Sequence, residues 1–168
     1  MIFNSARVLS RTQKYYETGH ALMNQANSAT DFWHVDRKIR FSHCDPAGIV
    51  FMPRFFELLN GVCEDWFAAI GHDYKSLIMT RRLGVGYAHA SANFRHPVFM
   101  GDVLRFRLEI ERLGTKSFTL ALTAQQQATE ILTATLVVVT TDLDTRRSVP
   151  IPADLRTAIE HFMTKDSQ

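Results

Sequence analysis

Apolar and polar positions change rhythm several times along the chain. From His34 to Ser42, Val35, Ile39 and Phe41 sit among polar residues, which predicts a first strand. Asp45-Pro46-Ala47-Gly48 then reads as a turn, because proline fixes φ and glycine tolerates unusual φ. Pro53 fits the first turn of a helix, where its missing N–H costs little. That helix is expected to run to about Ile70. Phe55, Leu59, Val62, Trp66 and Ile70 recur at helical spacing on one face, and Phe56, Leu58, Cys63 and Phe67 widen it. So broad a stripe suggests a helix embraced by other elements, with Gly71 as its C-terminal cap.

Strands dominate the remainder. Gly84–His96 is long and mixed in pattern. Leu104, Phe106, Leu108 and Ile110 alternate with Arg105, Arg107, Glu109 and Glu111 across Asp102–Arg112. Phe118, Leu120 and Leu122 alternate again. Ile131–Thr141 is β-branched and nearly all apolar, as expected of a central strand buried on both faces. Pro150 and Pro152 break the pattern before a short terminal helix, Ala153–Met163. One early helix followed by hairpin-linked strands predicts an α+β fold with an antiparallel sheet.

Composition narrows the classes. With 168 residues, 46% apolar and 21% charged, the chain is long enough for one real core and is neither disordered nor fibrous. No stretch approaches the roughly 18 apolar residues of a membrane span. Cys44 and Cys63 make neither a disulfide framework nor a zinc motif, so a reducing, cytoplasmic setting is expected. The net charge of +2 resides in residues 1–30, where Arg7, Arg11 and Lys14 face Glu17 alone. The neutral remainder lacks the basic face of a nucleic-acid binder. Residues 1–30 are read as an extension outside a domain spanning 31–168. A transit peptide, or a native start at Met23, is the other reading of that segment.

The densest chemistry lies in Arg40–Pro53, where a carboxylate sits in a tight turn just before an apolar helix. The first N–H groups of a helix lack partners and carry partial positive charge. A carbonyl oxygen placed there is polarised, and a neighbouring carboxylate can attack its carbon or activate water. Asp45 as a simple helix cap or Asx-turn residue is the competing reading.

The run Cys44-Asp45-Pro46-Ala47-Gly48-Ile49-Val50 resembles the 4-hydroxybenzoyl-CoA thioesterase family of hotdog-fold enzymes. Weaker likeness recurs in Gly84–Arg95, Gly101–Leu104, Lys116-Ser117-Phe118 and Val149–Asp154, covering about 34–160. The resemblance implies a hotdog fold, a curved antiparallel sheet wrapped around one long central helix. It implies a homodimer or homotetramer with active sites at the subunit interface. It implies Asp45 as nucleophile or general base, and the backbone N–H of Met52 as donor to the thioester carbonyl. No metal or organic cofactor is expected; coenzyme A would belong to the substrate. Lys116 aligns with a residue near the coenzyme phosphates, and Arg112 is added as a neighbouring cation.

The chain departs from that pattern at His43, where an acidic residue is expected. If His43 and Asp45 share a strand, both point the same way, which makes His43 a candidate catalytic residue that tunes Asp45 or contacts the acyl group; an exposed or packed histidine is the competing reading. The loop before Lys116 is also less basic, which leaves Arg146 and Arg147 as alternative phosphate contacts or as a solvated hairpin end. Glu64 is the chief rival to Asp45, with Glu57 and Asp65 on the same helix. Cys44, His89, Asn93, Arg95 and His96 have ordinary strand roles as their simplest reading, and Phe51, Trp66 and Tyr87 are read first as core. The function expected is hydrolysis of an acyl-CoA, the leading substrate being aromatic. A hotdog hydratase or dehydratase, or a non-catalytic acyl-CoA binding subunit, is the alternative.

Overall fold

A computed structural model of the chain describes residues 33–165. The proposed extension over 1–30 lies outside them. The elements are β1 (His34–Lys38), a 3-10 turn (Phe41–His43), α1 (Met52–Ala69), a π-helical turn (Ser76–Thr80), β2 (Leu83–Phe94), β3 (Val103–Leu113), β4 (Ser117–Gln126), β5 (Thr129–Asp142), β6 (Arg147–Ser148) and α2 (Ala153–Lys165). The strands form one antiparallel sheet in the order β1-β3-β4-β5-β2, with β6 also on β5. The expected α+β architecture is therefore present.

The wide apolar stripe of α1 is spent on the core. Phe55, Leu58, Leu59, Val62, Cys63, Trp66 and Phe67 are all buried. They meet Leu104, Phe106 and Leu108 of β3, Phe118, Leu120 and Leu122 of β4, and Leu132, Leu136 and Val138 of β5 in one cluster. Leu155, Ile159 and Phe162 of α2 join it, and the Phe162 ring stands 5.6 Å from that of Trp66. Burying each such side chain is worth about 1.5–3 kcal/mol.

Two expectations need correction. The first strand ends at Lys38, because Ile39 leaves the ladder to bond Asp102 O and Gly101 N–H. The chain then turns through Phe41–His43, and Phe41, read as an inward strand residue, is 81% exposed. β5 is not buried on both faces. Leu132, Ala134, Leu136 and Val138 are buried against the core, while Thr133, Thr135, Val137 and Val139 are half-buried on the outer face. The core elements cover only the inner face of the sheet.

β2 carries an irregularity that positions the site. Its pairing with β5 shifts register between Tyr87 and His89, so Ala88 is an extra residue. Tyr87 pairs with Val138 and Ala90 with Leu136, both core-facing positions. Strict alternation would put residues 87 and 90 on opposite faces; the bulge puts both toward α1.

Candidate active site

The approach to α1 is a tight, internally bonded loop. Cys44 bridges Val50, Asp45 N–H donates to Ile49 O at 3.0 Å, and Gly48 N–H donates to Asp45 O at 2.9 Å. Gly48 has φ +83°, a conformation glycine adopts without strain. Val50 N–H donates to Val98 O, and Ile49 bridges Phe99, which ties the loop to the β2–β3 connection.

Asp45 makes the Asx-turn of its competing reading. Its Oδ1 accepts Ala47 N–H at 2.8 Å, a true Asx-turn. Oδ2 has no partner among the described residues, so one oxygen fixes the side chain and the other remains available.

The helix start is arranged around one free donor. Phe51 occupies the N-cap position without a side-chain cap. Pro53 has no N–H to offer, and Arg54 N–H already donates to Phe51 O at 2.8 Å. Met52 N–H has no acceptor among the described residues, and Met52 is 54% exposed. An incoming oxygen thus meets a single unoccupied amide at the positive end of an 18-residue helix.

His43 requires a correction. It lies in the 3-10 turn, so the strand argument that aimed it with Asp45 does not hold. Its Nδ1 accepts Arg40 N–H at 3.1 Å, and its carbonyl accepts Phe51 N–H at 2.9 Å. His43 ties the turn to the helix entrance.

Lys116 and Arg112 are not brought to Asp45. Asp45 belongs to the loop beside Asp102, at the start of β3, whereas Arg112 and Lys116 flank its other end. An 11-residue strand spans about 33 Å by its rise, less where it curls. Lys116 Nζ donates to Ser148 O at 3.1 Å, and Arg112 is exposed. Arg146 and Arg147 are exposed at the β5–β6 turn, which follows the Lys116 end of the sheet.

The rival carboxylates each have a partner. Glu57 pairs with Arg54 at 2.7 Å, Glu64 accepts from Asn60 Nδ2 at 2.6 Å, and Asp65 pairs with Arg37. Cys44 Sγ faces Arg40 O, and Arg95 pairs with Glu130. His89, Asn93 and His96 are exposed. Trp66 is fully buried core, as first read, while Phe51 is 50% exposed at the helix entrance.

Beside the first turns of α1 lies an open groove of about 430 Å3. Phe56, Glu57, Leu59 and Asn60 form its helical wall; Tyr87 and Ala90 of β2, with Leu136 of β5, form the other. Tyr87 hydroxyl donates to Asn60 Oδ1 at 3.2 Å. The Cys63 thiol and Tyr74 hydroxyl lie against the Tyr87 hydroxyl. Tyr74 reaches no partner in good hydrogen-bonding geometry. Burial pushes Cys63 and Tyr74 each up to about 12, and pushes Tyr87 upward as well, so all three stay protonated near neutrality. Cys63 is therefore no nucleophile. Asn60 was missed in the sequence. The available signal was Asn60-Gly61, a turn-favouring pair held inside an apolar helix.

Comparison with known proteins bears on this geometry. Residues 39–159 match the family model described as the thioesterase-like superfamily. The 1,4-dihydroxy-2-naphthoyl-CoA hydrolase of Thermosynechococcus vestitus is 28% identical over 120 residues, 71% of this chain and 82% of that protein. A 1,4-dihydroxy-2-naphthoyl-CoA thioesterase from Synechocystis superposes with TM-score 0.71 at 25% identity, covering 76% of this chain and 94% of the other. The 4-hydroxybenzoyl-CoA thioesterase of a Pseudomonas species shares the fold with TM-score 0.70 at 24% identity, covering 75% and 97%. Among the described residues, no helix is long and apolar enough to cross a membrane.

Proposed function

The chain belongs to the thioesterase-like superfamily, and from that we propose that it is an acyl-CoA hydrolase acting on an aromatic acyl-CoA. The products are the free acid and coenzyme A. The observation that carries the reading is the pairing of a carboxylate with one free oxygen, Asp45, and a helix start with one free amide, Met52.

The chemistry follows from those two groups. The thioester oxygen accepts Met52 N–H, so negative charge developing on it meets the helix N-terminus. Asp45 then either attacks the carbonyl carbon or takes a proton from water that attacks it. The C–S bond breaks and the thiolate leaves with little acid assistance, being a stable anion. On the direct path, one water is consumed, and its oxygen enters the acid. On the covalent path, water opens the anhydride and regenerates the Asp45 carboxylate. The reaction as proposed draws on this chain's own groups and on no further cofactor. The apolar groove along α1, walled by Phe56, Leu59 and Leu136, suits a ring-bearing acyl group. We read the sheet as wrapped about α1 in the hotdog manner.

A second copy is part of this reading. β2 is an edge strand, and Gly86–Ser91 is exposed with no proline and no formally charged side chain. Such an edge is normally covered or charged. Pairing β2 with its counterpart in a second copy would cover it. That copy is also the available source of coenzyme contacts from Lys116 and Arg112, which are too far from Asp45 in their own chain. Sedimentation equilibrium is expected to show a dimer or a tetramer; a monomer at assay concentrations would remove this part of the reading.

Function is tested by thiol release from 4-hydroxybenzoyl-, benzoyl-, acetyl- and medium-chain acyl-CoA. Fast release from an aroyl-CoA should fall about a thousandfold in Asp45→Asn. Release that survives the substitution would move the chemistry to another group. No release from any of these thioesters would sink the hydrolase reading.

A further inference from the structure

The groove is not uniform along its length. Toward the helix start, outside the groove's lining, the rings of Phe55 and Phe94 pack 5.1 Å apart. Further along, the β2 wall is Ala90, whose single methyl leaves space. Beyond Ala90 stands Tyr87, a large side chain reaching across to Asn60. Small and large residues thus follow one another along one wall.

Three features fix Tyr87 in place. Its register opposite Val138, a core-facing position, sets it on the α1 side of the strand. Its hydroxyl is held by Asn60 Oδ1, and Asn60 is itself oriented by donating to Glu64 Oε1. Beneath it lie the Cys63 thiol and the Tyr74 hydroxyl, on the next stretch of α1 and the loop after it.

We propose that Tyr87, clasped to Asn60, is the stop at the inner end of the acyl groove and limits the length of acyl group accepted. This rests on the thioesterase reading and adds a specificity-determining residue to it. Eight residues of helix separate Met52 from Asn60, about 12 Å of rise. A ring attached to the carbonyl fits within that span. A long alkyl chain, its carbonyl at Met52, runs into the Tyr87–Asn60 bridge. Selection is by length, so short and ring-sized acyl groups share the groove and long ones are excluded.

The test compares wild type, Tyr87→Ala and Tyr87→Phe by kcat/KM for thiol release from benzoyl-CoA and dodecanoyl-CoA. In Tyr87→Ala the dodecanoyl-to-benzoyl ratio should rise about tenfold or more, the scale on which a few methylenes count in a pocket. Tyr87→Phe retains the ring and should move the ratio less than about threefold. Tyr87→Leu, which keeps a large apolar side chain for packing, is the second variant if Tyr87→Ala does not fold, and its ratio should move the same way. An unchanged ratio in whichever shortened variant folds, with wild type active, overturns the length stop and leaves the hydrolase reading standing. Wild type inert toward every thioester overturns both.

Discussion

The two ends of α1 are built on opposite principles. At the C-terminal end, Trp66 and Phe67 are fully buried, with ring centroids 4.8 Å apart and Phe118 and Phe162 packed against Trp66. The backbone there is closed: Ile70 and Gly71 N–H bond back to Trp66 and Ala68, and Gly71 takes φ +83°. At the N-terminal end, Phe51 and Met52 are half exposed, the helix has no side-chain cap, and an amide is left free. A side-chain cap would bond the second or third amide of the helix, but Pro53 has none and that of Arg54 is taken by Phe51 O, so the Met52 amide is the donor left open. One end of the helix is closed into the core and the other is left open, where the proposed chemistry would take place.

Crossed substitutions break the comparison most sharply. Trp66→Ala is expected to cost about 3–5 kcal/mol of stability, read as a fall in the urea midpoint. Asp45→Asn should instead leave that midpoint close to wild type, while removing most thiol release. The Asx-turn survives because the asparagine carbonyl can still accept Ala47 N–H. A large loss of stability in Asp45→Asn would mean that the loop is structural and the division of labour is wrong.

A smaller effect sharpens it. Beyond the anchored end, Arg81 pairs with Asp154 at the start of α2 and contacts His72 Nδ1 at 3.2 Å. The Arg81 guanidinium holds the Asp154 carboxyl below its usual 3.8. A carboxylate lowered in the folded state stabilises it above the unfolded pKa, and that contribution is lost as pH falls through the folded value. Wild type should therefore exceed Asp154→Asn in stability by a modest margin at about pH 6, and the gap should narrow progressively as pH falls below the usual carboxyl value. A gap independent of pH would show that the ion pair is not its source.

Much of this was legible in the sequence, for identifiable reasons. The α1 stripe and the alternation of β3 and β4 follow from helical and strand periods set against one covered face. The Asp45-Pro46-Ala47-Gly48 turn follows from residue chemistry, and so does the helix start behind it. Phe41 misled because an apolar residue next to a strand looks inward, and only the bonds of Ile39 to Gly101 and Asp102 show that the strand has ended. The separation of Lys116 from Asp45 within one chain was not legible, because likeness in a short motif says nothing about which end of a strand a residue occupies. β2 looked mixed because its inward residues are odd-numbered at Val85 and Tyr87 and even-numbered at Ala90, Ala92 and Phe94. No single alternation fits both halves of a bulged strand.

The same extra residue has a consequence for how such chains diverge. Removing Ala88 would leave Tyr87 and Ala90 on the faces they now occupy, since Val138 and Val137 are already consecutive on the partner strand. A one-residue insertion or deletion at this point is therefore silent in shape. Two descendants could share every wall of the groove and yet fall out of column with each other by one place. For such pairs, the gap must be placed at the bulge before position-by-position comparison of the groove has meaning.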